Sequence, residues 1–306
     1  MKDEYGREIT NLRISLTQEC NLNCFYCHSE GEAEENKNTK LSLEEVKKLI
    51  KTASDLGMHK VKFSGGEPLL HHSIEEIIEY SSEYMDDVSM TTNGVLLEEK
   101  AEVLKRRGLD RVNVSFDVSE ESTYKEITGE KKADKAKRGI EKANSVGLYP
   151  VKINMLLMDG LNNDKIGEMI DFAAETNSIL QVIEMTSNEE EIDGKIYQKY
   201  HRGLEELANE LKSRASKIET RRMHARKKYF LEEPEVEVEL VRTMHNSTFC
   251  QNCTRLRITS DCELKPCLLR TDNHVPARST LNNGGNVKDK FVEAIKKREP
   301  YWRDER

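Results

Sequence analysis

The chain has 306 residues, of which 36% are apolar and 34% charged, and its formal net charge is −8. That length suits one large α/β domain with an extension, or two modest domains, and the acidic balance argues against nucleic acid or acidic lipid as a partner of the whole surface. No apolar run approaches the ~20 residues of a bilayer span, and Met1-Lys2-Asp3-Glu4-Tyr5 lacks the apolar stretch of a secretory signal, so the expectation is a cytoplasmic protein with neither DNA nor membrane as partner.

Six β-branched runs open the chain: Asn11–Thr17, Lys60–Ser64, Val88–Thr91, Arg111–Phe116, Val151–Leu157 and Ile179–Ile183. Helix signals lie between them. Ser42 and Glu45 spell a capping box ahead of Leu43, Val46, Leu49, Ile50 and Ala53, and Ser73 and Glu76 spell another ahead of Ile74, Ile77 and Ile78. Ile166, Met169, Ile170 and Ala173 make a further stripe. Strands that alternate with helices predict a parallel sheet, as an open sheet or a full or partial barrel. Residues 187–235 are dense in Glu, Lys and Arg. Their one helical pattern, Tyr197, Tyr200, Leu204, Leu207 and Leu211, reads as a solvated helix with a linker. Val236–Val241 reads as a strand, and Asn282–Arg306 as a polar tail with a Gly284-Gly285 turn. The expected division is 1–186, 187–235 and 236–306.

Parallel α/β folds carry their chemistry at the C-terminal ends of the strands. There lie, in order, a cysteine group, Ser64-Gly65-Gly66-Glu67-Pro68, Thr91-Thr92-Asn93-Gly94, Ser115 with Asp117, and Glu184. Turn composition explains any one of these but not all of them at one rim.

Of seven cysteines, six fall in two groups: Cys20, Cys24 and Cys27 as C-x3-C-x2-C, and Cys250, Cys253 and Cys267 as C-x2-C-x13-C. In a reducing compartment such groups suggest metal or redox chemistry. Iron–sulfur clusters normally take four thiolates, so three leave one iron open to a ligand. The alternative is zinc, with His28 as a fourth ligand in the first group and Cys262, His245 or His274 in the second. Zinc prefers paired C-x2-C knuckles, which the first group lacks and the second half satisfies. Beyond Cys253, Arg255 and Arg257 alternate with Leu256 and Ile258. A strand would put both guanidinium groups on one face, a natural triphosphate clamp or a basic strand edge.

The run Cys20-Asn21-Leu22-Asn23-Cys24-Phe25-Tyr26-Cys27 resembles the cluster loop of the radical S-adenosylmethionine superfamily, and Gly65-Gly66-Glu67-Pro68 resembles its turn for the methionine amino group. The resemblance implies a cubane cluster whose open iron holds S-adenosylmethionine, and electron transfer that yields a 5′-deoxyadenosyl radical. From Tyr5-Gly6-Arg7 to about residue 270, with Leu12-Arg13-Ile14-Ser15, Val151-Lys152-Ile153-Asn154 and Ile183-Glu184-Met185, the chain resembles the GTP 3′,8-cyclase family, above all its archaeal-type members. That resemblance implies a partial (β/α)6 TIM-like barrel with a C-terminal extension carrying a second 4Fe-4S cluster. It implies hydrogen removal at the ribose C3′ and attack on C8 of the base, an early step of molybdenum cofactor biosynthesis. Carried over, Cys20, Cys24 and Cys27 hold the first cluster, and Cys250, Cys253 and Cys267 the second. Tyr26, Gly66 and Ser115 contact S-adenosylmethionine, and Arg13, Lys62, Thr91, Lys152 and Arg255-Leu256-Arg257 contact GTP. Arg255 and Arg257 count with the first triad as catalytic. Partners by the same resemblance are a flavodoxin- or ferredoxin-like reductant, the downstream cyclic pyranopterin monophosphate synthase, and a second copy in a homodimer.

The chain departs from the family pattern in several places. Lys62 stands where arginine is frequent, His71-His72 where an arginine often follows the glycine turn, Thr186 where a methionine is usual, and Cys262 where a turn glycine is usual. Many members end in Gly-Gly, whereas the last residues here are Asp304-Glu305-Arg306, so either another segment replaces that tail or the activity differs. Two other readings stand beside the cyclase: a two-cluster radical enzyme acting on a peptide or small molecule, and a zinc-binding regulatory protein.

Overall fold

The computed structural model describes residues 1–32, 39–186, 194–221, 223–243 and 246–299. The six expected strands form as β1 (Asn11–Ser15), β2 (Lys60–Ser64), β3 (Asp87–Thr92), β4 (Arg111–Ser115), β5 (Lys152–Leu157) and β6 (Ile179–Glu184). Each pairs in parallel with the next. The helices that return the chain are α1 (Leu43–Asp55), α2 (Ile74–Ser82), α3 (Leu97–Arg106), α4 (Glu121–Thr128), α5 (Ala133–Ser145) and α6 (Ile166–Glu175). Crossovers of this kind cover one face of a parallel sheet with apolar stripes. Leu49 and Ile50 of α1, Ala136 and Ile140 of α5, and Met169 and Ile170 of α6 join Ile14, Phe63, Val114 and Met155 of the strands in one buried core.

The capping box on α1 forms as expected: the Glu45 amide donates to Ser42 Oγ at 3.3 Å, and the Ser42 amide donates to Glu45 Oε2 at 2.7 Å. The second box does not form, because the Ser73 amide donates instead to His71 Nδ1 at 3.3 Å and Ser73 makes no side-chain cap. His71 Nε2 meets the Leu41 carbonyl at 2.7 Å, so this buried histidine ties two loops together.

Residues 187–235 hold more than a solvated helix and a linker. The helical pattern breaks in two, α7 (Lys195–Tyr200) and α8 (Glu205–Arg214), because His201 leaves the helix to bridge with Met158. A hairpin follows, β7 (Ala215–Thr220) and β8 (Lys227–Glu232), and β8 pairs antiparallel with β9 (Glu235–Val241). The charge that hid these strands belongs to a sheet edge, where Lys and Glu are tolerated. The second cysteine group spans α9 (Ser247–Gln251), β10 (Arg255–Ile258) and β11 (Glu263–Lys265), followed by β12 (Val275–Pro276), α10 (Arg278–Asn282) and α11 (Val287–Lys296).

The full sheet has 12 strands in the order β12-β11-β10-β1-β2-β3-β4-β5-β6-β9-β8-β7. It is parallel from β10 through β9, since β10 adds to β1 and β9 adds to β6. The terminal strands do not pair with each other, so the barrel stays open. Its inner face is therefore free of the packed side-chain layers that fill a closed eight-stranded barrel. Among the described residues no helix is long and apolar enough to cross a membrane.

Candidate active site

The inner face of the curved sheet bounds a cavity of about 380 Å³. Beside it runs the loop after β1, which carries Cys20, Cys24 and Cys27. This loop is stitched to the turn after β2: the Gly66 amide donates to the Thr17 carbonyl at 2.7 Å, and the Glu67 amide to the Glu19 carbonyl at 2.8 Å. A Cβ on Gly66 would lie 2.3 Å from the Glu19 carbonyl oxygen, and Gly65 has φ +134°. Both glycines are thus required by close backbone approach. Glu67 is fully buried and accepts from the Leu69 amide (3.0 Å), Thr92 Oγ1 (2.8 Å) and the Asn93 amide (2.8 Å), which binds this turn to the end of β3. Burial pushes its carboxyl up to about 7. Asn93 Nδ2 in turn sits 3.9 Å from Cys20 Sγ.

Tyr26, between two of the cysteines, donates to Asp117 Oδ2 at 2.5 Å, and Asp117 Oδ1 accepts the Leu156 amide at 2.7 Å. Asp117 thereby fixes the tyrosine against the cavity that Tyr26, Ser115 and Asp117 all line. Burial raises the Asp117 carboxyl to about 6. Burial also pushes the Cys20 and Cys24 thiols up, with Asp117 adding to the effect on Cys24.

The expected phosphate ligands converge on the cavity wall. Arg257, Arg13 and Lys62 are register neighbours on β10, β1 and β2, so three cations stand side by side in one row. Like charges in adjacent positions repel; burial, then Arg111 and Arg13, weaken the hold of Lys62 on its proton, and an anion beside the row favours its charged form. Part of that anion is already present. Glu30, on the turn Ser29–Gly31 beyond Cys27, lies 3.1 Å from Arg257 and 3.5 Å from Arg13. Burial opposes its ionisation, but Arg13 and Arg257 outweigh burial and hold the carboxyl down to about 2. Lys62 Nζ donates to Asn113 Oδ1 at 2.7 Å. Arg255 has no carboxylate partner among the described residues, and burial with Arg13 and Arg257 weakens its hold on the proton. Thr91 Oγ1 and Thr243 Oγ1 line the same space without a hydrogen-bond partner.

Arg13 and Lys62 lie mid-strand and Lys152 opens β5, away from the strand ends where parallel folds carry their chemistry. What they share is the inward face of an unfilled barrel. Two sequence expectations change here. Lys152 is already committed, because its ammonium meets the fully buried Glu239 of β9 at 2.5 Å. Gln181 and Arg226 complete that carboxylate's shell. Leu256 is fully buried on the opposite face, in the core, so only its backbone is offered to the cavity.

Cys250, Cys253 and Cys267 line the cavity directly. No disulfide joins any of the seven cysteines. Arg298 donates to the Cys253 carbonyl at 2.9 Å. Burial would push the Cys253 thiol up, but Arg298, Arg255 and Arg257 outweigh it and hold it below the usual range. Two candidate zinc partners are elsewhere engaged. His274 uses both ring nitrogens, toward Glu263 (2.7 Å) and the Arg270 carbonyl (3.1 Å). Cys262 is buried at φ +68°, which explains the glycine usual at that turn. His245 lies outside the described residues. Among the described residues no three His, Cys, Asp or Glu side chains are grouped to hold a metal ion. The donor type, thiols rather than imidazoles, is the one iron–sulfur clusters take: three thiols stand on a loop braced by close-packed glycines, and three more line a cationic cavity.

Sequence reasoning missed Glu30, Asn113, Arg221, His224, Arg226 and Glu239. The last four lie in or beside the hairpin hidden by charge. Glu30 follows the cysteine group so closely that chain proximity was its only signal.

Residues 14–173 match the Radical SAM superfamily, and residues 178–303 match Molybdenum Cofactor Synthesis C. The chain is 47% identical over 305 residues to a probable GTP 3′,8-cyclase of Pyrococcus abyssi, covering 98% of this chain and 99% of that protein. A probable GTP 3′,8-cyclase of Methanococcus vannielii is 44% identical over 307 residues, with 100% of both chains covered. Among solved structures, Streptococcus suis SuiB bound to S-adenosylmethionine shares the fold at a TM-score of 0.69 and 17% identity, covering 91% of this chain and 66% of that one. The native anSMEcpe with bound AdoMet and a peptide does so at 0.66 and 17%, covering 94% and 80%.

Proposed function

This chain belongs to the GTP 3′,8-cyclase family of the radical SAM superfamily, and from that premise we propose that it converts GTP to (8S)-3′,8-cyclo-7,8-dihydroguanosine 5′-triphosphate, an early step of molybdenum cofactor biosynthesis. The observation that carries the reading is the row Arg257–Arg13–Lys62 on the wall of a cavity that three cysteines also line. A polyphosphate answers the cations, and a base beside it reaches the cysteines.

Cys20, Cys24 and Cys27 would hold one 4Fe-4S cluster and Cys250, Cys253 and Cys267 a second. Once bound, the first cluster with S-adenosylmethionine supplies a 5′-deoxyadenosyl radical. The protein's own residues bind and orient. The Gly65-Gly66 turn fixes the cysteine loop, and Tyr26, held by Asp117, walls the cofactor side with Ser115. Arg13, Lys62, Arg255 and Arg257 draw in the triphosphate, and the unpartnered Thr91 hydroxyl donates to it. Lys152 braces the wall through Glu239 and contributes its field. Enclosure by the sheet keeps water from a reactive intermediate. In this reading residues 1–186 form the barrel, 187–235 the connection, and 236–306 the second-cluster region. The thiol-rich site suits a reducing cytoplasm, a flavodoxin- or ferredoxin-like donor, and a synthase that takes the product on.

The test is anaerobic incubation of the reconstituted, reduced protein with S-adenosylmethionine and GTP. Expected products are 5′-deoxyadenosine and an acid-convertible cyclised guanosine triphosphate. Cleavage of S-adenosylmethionine that leaves GTP intact even at saturating GTP would instead favour a peptide or another small molecule.

A further inference from the structure

The turn between β7 and β8 places three polar residues on the cavity, of which only Arg226 has so far been given a contact, with Glu239. It is closed by the Arg221 amide donating to the Arg226 carbonyl at 2.7 Å. Arg221, His224 and Arg226 all line the cavity. His224 and Ala225 have φ +64° and +49°, sparsely populated values for residues with a Cβ that are held only where the surroundings enforce them. The His224 side chain is buried, at 1% exposure, with its ring stacked on Phe249 at 3.8 Å and 17°. Phe249 precedes Cys250.

Neither ring nitrogen of His224 has a hydrogen-bond partner, and neither does Arg226 Nε. Buried polar atoms are nearly always paired, and these three are shut off from solvent, so bulk water does not stand in. Three unpartnered polar atoms on one turn against one cavity point to a polar ligand there. The surroundings define its charge. Burial, then Arg255, Arg226, Arg257 and Arg221, keep the imidazole neutral. A neutral imidazole still carries one N–H donor, which can serve an anion without adding to a crowded positive field. Glu239 is not that anion: it lies 3.6 Å from Arg226 and 3.9 Å from Arg221, and it is already bound by Lys152 and Gln181.

We propose that Arg221, His224 and Arg226 form a phosphate-binding wall of the cavity, in which His224 donates a hydrogen bond to the triphosphate that Arg255 and Arg257 also clamp, while Arg221 and Arg226 set positive charge beside it. This rests on the cavity being a nucleotide site. The turn brings the β7–β8 hairpin, at one end of the sheet, onto the second cysteine group at the other, so the phosphate would tie the two ends of the open barrel together.

The experiment compares anaerobically reconstituted wild type with His224→Phe, His224→Gln and Arg226→Gln by equilibrium dialysis of GTP, inorganic triphosphate and S-adenosylmethionine. His224→Phe keeps the stack on Phe249 and removes the donor, and His224→Gln restores one. Expected are losses of about tenfold in GTP and triphosphate affinity for His224→Phe and Arg226→Gln, with smaller loss for His224→Gln and S-adenosylmethionine binding unchanged throughout. GTP affinity within twofold of wild type in His224→Phe overturns the wall and leaves the cyclase reading intact. Equal loss of S-adenosylmethionine binding in His224→Phe also overturns it, since the role would then be structural. Wild type that binds triphosphate in a His224-dependent way but not GTP keeps the wall and defeats the guanine nucleotide reading.

Discussion

Cys20 and Cys24 in the first cysteine group and Cys253 in the second sit in opposite electrostatic settings. Around Cys20 and Cys24, burial works against the thiolate, and Asp117 and the neighbouring cysteines work the same way on Cys24. Around Cys253, three arginines overcome burial. The first loop is held by backbone, through the glycine turn and Glu67; the second takes a hydrogen bond from Arg298 on the Cys253 carbonyl, and its Cys253 thiol lies in the field of Arg298, Arg255 and Arg257. Under the proposed function, the difference follows from duty. A loop that only seats a cluster and its cofactor needs shape. A loop that also faces a polyphosphate shares its cations with the substrate, and its thiolates take part of that field.

The largest effect that could break this contrast is loss of a ligand. Cys24→Ser should lower 5′-deoxyadenosine formation by more than about 10³-fold, since one cysteine fewer leaves too few ligands for the cluster. Cys253→Ser should keep S-adenosylmethionine binding and lose GTP binding; loss of both in each variant would mean that the groups are not separate. Next, Arg255→Ala with Arg257→Ala should weaken GTP binding by about 100-fold or more, given two charge-assisted contacts. S-adenosylmethionine affinity should hold within a few-fold, and an equal fall for both ligands would contradict the assigned roles. A smaller effect sharpens the electrostatic side. In cluster-free protein, a depressed pKa leaves Cys253 more thiolate at any pH below its ordinary value than a raised one leaves Cys24. Alkylation followed by peptide mapping should therefore label Cys253 first near pH 7, with the gap closing as pH rises. The reverse order would show that the arginines do not govern the thiol. Smallest is Tyr26→Phe, which removes one hydrogen bond to Asp117 worth ~1 kcal/mol. It should raise KM for S-adenosylmethionine a few-fold, and an unchanged KM would leave Tyr26 as packing alone.

The barrel was legible because a β-branched run marks each of its six strands and apolar stripes at helical spacing lie between several of them. The first cysteine group was legible because three ligands within eight residues need no tertiary contact to be brought together. Arg255 and Arg257 were legible by alternation, which the buried Leu256 and Ile258 bear out. The hairpin Ala215–Glu232 was not, since an edge strand rich in Lys and Glu has no apolar period to read. Lys152 shows a different limit. Its inward position follows from the strand, but its partner Glu239 lies 87 residues away, and no local pattern announces that pairing. Ser73 marks the converse error, a complete capping motif overruled by a neighbouring histidine ring.

Glu30 gives the cavity a resident competitor. It is covalently leashed to the cysteine loop and stands between Arg13 and Arg257, so any phosphate arriving there meets a rival present at an effective concentration of about millimolar or above. A lone phosphate ion, offering one anionic group, gains little by the exchange. A triphosphate can evict the carboxylate with one group and hold the remaining cations with the others. Under the proposed function, Glu30 sets an entry threshold that a long polyanion clears and a lone phosphate does not.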